Sequence, residues 1–265
     1  SGKYHVGTLR EVLTADAVTI ELKRRGRVVR HLHFVDDLDF LRKIPAGVDS
    51  SFEKYLGIPL CDVPSPDGKA DSYADYYLDD FLPSLEKLNI NVEVIRSHEK
   101  YREGFFVPAI EKTLDRLELA RKYLEEVSGR KLDNTWSPIQ VMEDGYLKKR
   151  RFVSLDKSDK TINFIDKNGT QQTISYADGS VKLDWRLDWP ARWALVGINF
   201  EPFGREHGTK GGSYDTGKSL VEHIYDAQAP IPLMYEFINR AGETKKMSKS
   251  AGNTVNISEL LNILP

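Results

Sequence analysis

A single cysteine, Cys61, is the chain's whole stock of thiol. A disulfide needs a pair and a thiolate zinc cluster needs several, so neither framework is open to this sequence. A reducing compartment, by default the cytoplasm, is the matching expectation. Long apolar runs are missing too. No stretch reaches the roughly 20 residues that span a bilayer, and no charged-then-apolar leader is present, so no membrane partner is expected. An excess of charge of one sign is also lacking. The 38 Lys and Arg against 40 Asp and Glu leave a formal charge of −2, with a pI near 6.3. Any RNA contact must therefore come from local basic patches. There are no internal repeats and no low-complexity segments.

What is present is 265 residues, 40% of them apolar, enough for one large core or two smaller ones. From 8 to 25 the apolar positions Leu9, Val12, Leu13, Ala17 and Ile20 fall at helical spacing and Gly26 is a stop. Residues 28–35 read as a buried strand whose carboxyl end carries Asp36 and Asp37. A helix around 72–88, a strand at 91–95 and a helix at 99–127 continue the alternation. That order predicts a parallel sheet of doubly wound α/β type. Between 139 and 185 the period changes to two, with hairpin signals at Asn168-Gly169 and Asp178-Gly179, which predicts a small β-rich insertion. The α/β pattern resumes with a helix at 190–196, a strand near Phe200, a helix at 213–225, a strand at 234–239 and a short helix near 258–264. The domain plan is then 1–138, an insertion at 139–184, and 185–265. Ser1 to Thr8 reads as a loop entering a helix with no strand before it, which predicts that a natural N-terminal segment has been lost.

Two strings carry phosphate chemistry. His5-Val6-Gly7-Thr8 opens a helix, where backbone N–H groups and the helix dipole favour an anion, Gly7 permits close approach and His5 adds a donor. The alternative is a surface histidine in a loop. Lys246-Met247-Ser248-Lys249-Ser250 sets two lysines three apart among serines, a pattern able to neutralise the charge that develops on a triphosphate. Lys245 reads only as a solvated neighbour. Gly211-Gly212 precedes another helix and allows a nucleotide to approach, while Asp215 in its first turn accepts from ribose hydroxyls or merely caps the helix. Asp36 and Asp37 stand at a strand end where such folds place ligands, or cap the next turn. The basic run Lys148-Lys149-Arg150-Arg151 reads as a solvated face in preference to an RNA contact.

Together the two strings resemble the paired signatures of class I aminoacyl-tRNA synthetases, with 5–8 as the "HIGH" element and 246–250 as an intact "KMSKS" element. Thr8 stands where the consensus has its last His, so only His5 carries over. Longer strings are similar to the class I lysyl enzymes in particular. They are Trp185-Arg186-Leu187-Asp188-Trp189-Pro190-Ala191-Arg192-Trp193, Phe200-Glu201-Pro202-Phe203-Gly204 with His207, and Gly211 to Gly217. The segment 34–45, with Asp36-Asp37-Leu38-Asp39 and Leu41-Arg42-Lys43, fits the same family.

The resemblance runs from 1 to 265 and is weakest in the insertion. It implies a Rossmann-type catalytic domain, ATP with Mg2+, L-lysine and tRNA(Lys) as substrates, and no protein partner. It assigns His5, Lys246 and Lys249 to catalysis. Gly7, Gly211, Gly212, Asp215, Met247 and Ser248 fall to ATP, and Trp185, His207 and Tyr235 to lysine. The last three also suit the substrate chemically, since an ammonium on a four-carbon stem wants aromatic walls and an acceptor at the far end. Each of them has an ordinary core role as its alternative. Rival readings are a class I enzyme for glutamate or glutamine, or a non-catalytic nucleotide- or RNA-binding relic of the fold.

Two departures from the family pattern bear on expectations. Family members continue into a helical anticodon-binding domain that these 265 residues do not contain, so this polypeptide is expected to activate lysine better than it recognises a whole tRNA. Members often carry a cysteine-bearing metal knuckle in the insertion, and here Val141-Met142-Glu143-Asp144-Gly145 occupies that region. No zinc is expected: elemental analysis of protein purified without chelator should find less than stoichiometric metal, and one zinc per chain would contradict this reading.

Overall fold

His5 sits in extended backbone and its Nδ1 accepts the Gly7 N–H at 3.0 Å, a side-chain cap that starts α1 (Val6–Arg24). Lys23 and Arg24 in the last turn suit the negative end of the helix dipole. In this computed structural model, which describes residues 2–45, 47–236, 238, 255 and 257–262, the chain divides into two compact units. One comprises 1–97 with 235–265, the other 98–234.

In the first unit β1 (Leu32–Val35) starts later than the sequence pattern predicts, because Val28 is fully exposed and lies outside any strand. A 3-10 helix (Ser50–Tyr55), α2 (Tyr73–Lys87) and β2 (Glu93–Arg96) follow. Ser72 and Asp75 cap α2 reciprocally. The Ser72 hydroxyl donates to Asp75 Oδ2 at 2.6 Å and its oxygen accepts the Asp75 N–H at 3.2 Å. β1 and β2 pair in parallel, from Leu32 opposite Glu93 to Val35 opposite Arg96. Leu9 and Val12 of α1 pack with Val35, with Leu78, Phe81 and Leu85 of α2, and with Ile257 of α8 (Ile257–Leu261).

In place of the single helix expected at 99–127 the chain forms α3 (Ser97–Arg102), α4 (Val107–Asp115) and α5 (Leu117–Ser128). Gly104, at φ +76°, turns the chain in the left-handed region after α3. Arg116, with φ −111° and ψ 31°, separates α4 from α5. Periodicity alone cannot see such breaks, since the apolar stripe continues across them.

Six strands follow: β3 (Ile139–Glu143), β4 (Tyr146–Lys149), β5 (Arg151–Asp156), β6 (Thr161–Ile165), β7 (Gln171–Ser175) and β8 (Val181–Leu183). They form two three-stranded antiparallel sheets, ordered β4-β3-β8 and β5-β6-β7. Asn168-Gly169 makes the β6–β7 turn, as its turn chemistry predicts. Asp178-Gly179 instead delivers the chain to β8, which pairs with β3 and not with β7. Then come α6 (Trp185–Val196), β9 (Phe200–Gly204), α7 (Ser213–His223) and β10 (Ile231–Tyr235). Among the described residues the architecture is thus mixed α/β with small sheets, of which β1–β2 is a parallel pair. β10 lies beside β9, with Ile231 70% and Met234 50% exposed. No helix of the described residues is long and apolar enough to cross a membrane.

The second unit is locked by a buried charge cluster. Asp188 of α6 is wholly buried, as is Lys182 of β8, whose Nζ lies 3.1 Å from Asp188 Oδ2. Tyr101 of α3 donates its hydroxyl proton to the same oxygen at 2.7 Å, and Arg192 Nε donates to Oδ1. Burial works to raise the Asp188 carboxyl. Arg192 first and then Lys182, with the Tyr101 hydrogen bond, outweigh it and hold the group below its ordinary range. Asp188→Asn should remove the buried charge that Lys182 and Arg192 both face and cost about 3–5 kcal/mol. A denaturant midpoint lowered at constant m-value is the expected readout, and an unchanged midpoint would remove Asp188 from this role.

Candidate active site

The first unit gathers polar groups around the N-terminus of α1 and the end of β1. Because His5 Nδ1 accepts from Gly7, a neutral ring carries its proton on Nε2, where it is a donor. Gly7 is required by that ring: a Cβ there would lie 2.8 Å from His5 Cε1. Tyr4 stacks on Phe81 with centroids 4.1 Å apart. Burial, and then the neighbouring Asp36 and Asp37, push its phenol well above the ordinary value.

Asp36 is exposed at the end of β1, whereas Asp37 is buried and paired with Arg96. Arg96 Nη1 also lies 2.7 Å from Asp75 Oδ1, so one guanidinium ties the ends of β1 and β2 to the first turn of α2. Asp37 is thereby committed to structure. Tyr235, at the end of β10, donates its hydroxyl proton to Glu11 Oε2 at 3.2 Å, and the Arg10 guanidinium lies 5.4 Å from its ring centroid.

The second unit holds an aromatic wall, and helical periodicity builds it. Trp185, Trp189 and Trp193 recur every fourth residue along α6, so their indoles share one stripe that runs from exposed Trp185 to buried Trp193, while Asp188 and Arg192 share the next one. Asp184 caps this helix and Gly197, at φ 74°, ends it. The cap places the helix start at Trp185, ahead of Pro190, where the sequence pattern began it. Trp185 is 36% exposed, and its ring stands edge-on to His207 with centroids 6.1 Å apart. His207 is also 5.7 Å from Trp189.

Behind them Glu201 of β9 accepts two indole N–H bonds, from Trp189 at 3.2 Å and from Trp193 at 3.1 Å. Trp185 and His207 are thus brought together. Glu201 and Trp189 belong to the same cluster although no role was read for them in the sequence. The signal was the fourfold tryptophan spacing next to a strand-borne acid.

The glycines ahead of α7 have packing reasons. A Cβ on Gly211 would meet the Val127 carbonyl at 2.7 Å, and one on Gly212 the Thr209 carbonyl at 2.6 Å. Asp215 Oδ2 accepts the Gly211 N–H at 2.8 Å, which is the capping alternative for that residue. In the basic run, Lys149 pairs with Asp184 at 2.9 Å and Arg150 Nε donates to Glu143 at 2.6 Å, while Lys148 lies over the Tyr146 ring. Lys246, Met247, Ser248 and Lys249 lie outside the described residues. Among the described residues no group of three His, Cys, Asp or Glu side chains is placed to hold a metal ion.

A helix-opening imidazole in one unit and an indole wall backed by a carboxylate in the other are parts suited to handling a nucleotide and a cationic substrate. The chain belongs to the family described as tRNA synthetases class I (K), whose model matches residues 1–265. It is similar to Lysine--tRNA ligase 1 of Methanosarcina acetivorans, 40% identical over 267 residues, which cover all of this chain and 50% of that protein. Similarity extends to Lysine--tRNA ligase of Pyrococcus furiosus, 38% identical over all of this chain and 51% of that protein. The enzyme of the same name from Archaeoglobus fulgidus is 36% identical over all of this chain and 53% of its own length. The chain therefore spans about half the length of the curated relatives it matches.

His33 of β1 adds a pH dependence beside this site. Its ring packs 5.1 Å from Phe81 and 6.0 Å from Tyr4. Burial, with a smaller effect of His31, lowers its pKa from 6.5 to about 4. Below pH 6.5 the unfolded chain takes a proton that the folded chain refuses, so His33 contributes fully above 6.5 and its contribution is lost as pH falls towards 4. Urea midpoints should fall across that window, and less steeply in His33→Phe. Equal slopes for the two proteins would exclude His33 as the cause.

Proposed function

We propose that this chain is the catalytic portion of a lysine--tRNA ligase, activating L-lysine with ATP and transferring it to tRNA(Lys) in the cytoplasm. One observation supports the amino acid most directly: the Glu201 carboxylate, held by two indole N–H groups next to Trp185 and His207. Apolar walls with an anionic acceptor suit an ammonium on a long stem. They do not suit the carboxylate of glutamate, which would call for a guanidinium.

On this reading the parts belong to a Rossmann-type, doubly wound catalytic domain in the segments 1–138 and 185–265, interrupted by a β-rich insertion at 139–184. Trp185, His207 and Tyr235 contact the substrate lysine. Gly7, Gly211, Gly212, Asp215, Met247 and Ser248 contact ATP, which arrives as its Mg2+ complex. A lysine carboxylate oxygen forms a bond to the α-phosphorus while the bond to pyrophosphate breaks. His5, through its Nε2 proton, and Lys246 and Lys249, through their ammonium groups, stabilise the charge on the phosphate oxygens. The terminal ribose 2′-OH of tRNA then attacks the adenylate carbonyl and AMP departs.

Pyrophosphate exchange with lysine, glutamate and glutamine in separate reactions tests the assignment, and lysine alone should support it. Exchange driven by glutamate, or ATP binding without lysine-dependent exchange, would overturn it. Lys249→Ala should slow single-turnover adenylate formation by about 10²–10³-fold, because its charge meets one that develops in the transition state. Trp185→Ala and His207→Ala should raise KM for lysine far more than KM for ATP. A wild-type rate in the first variant, or equal losses in the others, would remove these residues from their roles.

A further inference from the structure

Tyr235 is held from α1, the helix that His5 caps, by two residues adjacent in sequence. Its hydroxyl donates to Glu11 Oε2 at 3.2 Å. The Arg10 guanidinium covers its ring at 5.4 Å and donates from Nη1 to the next carbonyl, Glu236 O, at 2.7 Å. One contact fixes the far end of the side chain, one restrains the plane of the ring, and one holds the backbone that carries it.

Neighbouring residues on a helix point about 100° apart, and Arg10 and Glu11 stand at neither the three- nor the four-residue spacing that pairs charges along a helix. Both nevertheless converge on one tyrosine more than 220 positions away in sequence. The opposite charges also matter for a cationic substrate. A guanidinium alone beside Tyr235 would repel an ammonium, and the Glu11 carboxylate offsets it. Further along the chain, the Val6 N–H donates to Val255 O at 3.2 Å, and Ile257 is buried against Leu9 and Val12. α1 thus holds the backbone at Glu236 and again at Val255.

We propose that Arg10 and Glu11 are positioning residues that orient Tyr235 and balance charge beside it for a cationic amino acid, an inference that rests on the proposed activation of lysine. Neither touches the reacting atoms. Their loss falls on recognition of the amino acid, not on ATP.

The test is pyrophosphate exchange by chain 1–265, reading kcat and both Michaelis constants for Glu11→Gln, Tyr235→Phe, their double variant, Arg10→Met and Arg10→Lys. Glu11→Gln and Tyr235→Phe should each raise KM for lysine about tenfold, the size of one hydrogen bond to a charged group. KM for ATP should stay within about twofold, inside ordinary variation for an uncoupled site. The double variant should fall short of the product of the two single effects, since both act on the Tyr235–Glu11 hydrogen bond, while the charge removed with Glu11 is a separate part of its own effect. Arg10→Met should raise KM for lysine, and Arg10→Lys, which keeps the cation, should recover part of the loss. Independent multiplication of the two single effects, a parallel rise in KM for ATP, or no change in lysine KM would overturn the inference while leaving lysine activation intact. Absence of lysine-dependent exchange in the unmodified chain would overturn the proposed function and this inference with it.

Discussion

Asp188 is fully buried, and an ionised carboxylate taken from water into a protein interior costs several kcal/mol unless partners replace the water. Here Lys182, Arg192 and Tyr101 do so from three elements. The Tyr101 oxygen in turn accepts the Leu183 N–H at 3.2 Å, so the phenol bridges the carboxylate and the strand next to Lys182. The arrangement fixes β8, α3 and the first turns of α6 at one point. Satisfying a buried charge demands geometry, and geometry is what the neighbouring indoles inherit. Trp185 and Trp189 flank Asp188 on the same rigid helix, so the register that seats the acid also sets where they stand.

The first unit uses a comparable device with the signs exchanged. There a half-buried guanidinium, Arg96, is the centre, and the acids Asp37 and Asp75 come to it. The ends of β1 and β2 are joined to the start of α2 beside Tyr4 and His33. Those two rings are poor places for charge: burial raises the Tyr4 phenol and lowers the His33 imidazolium, so both favour their neutral forms. The site's electrostatics in this unit therefore rest on groups that solvent can reach, such as Asp36, and on the capped helix end at His5.

How much of this was legible in the sequence depends on what each residue's neighbours in space are. The β-rich stretch was readable because turn chemistry is local, and Asn168-Gly169 delivers the hairpin it encodes. Apolar spacing predicts one helix over 99–127 because it persists through Gly104 and Arg116, and only the backbone shows the breaks. Trp185 and His207 are singled out by the family resemblance and suit a lysine stem by chemical type, and their rings meet. Glu201 was not assigned, since nothing in a strand's sequence says that two indoles from a neighbouring helix will aim their N–H groups at it. Asp37 and Asp215 each had an open alternative. In both, the structure shows a partner from the protein, Arg96 for one and the Gly211 N–H for the other.

On the proposed reading, selectivity for a cationic amino acid follows from where Glu201 is held. Trp189 and Trp193 donate to it through neutral indole N–H groups, which orient the carboxylate. On the proposed reading, an arriving ammonium finds an anion already aimed and indole faces to cover its stem. A glutamate side chain in the same place would bring a second carboxylate to within a few ångströms of the first. At about 4 Å such a pair repels by roughly 1 to 4 kcal/mol, depending on how much water remains. The indoles exclude part of that water, which moves the repulsion towards the upper end. On that reading the same wall that gains contact with a lysine stem makes an acidic competitor costlier.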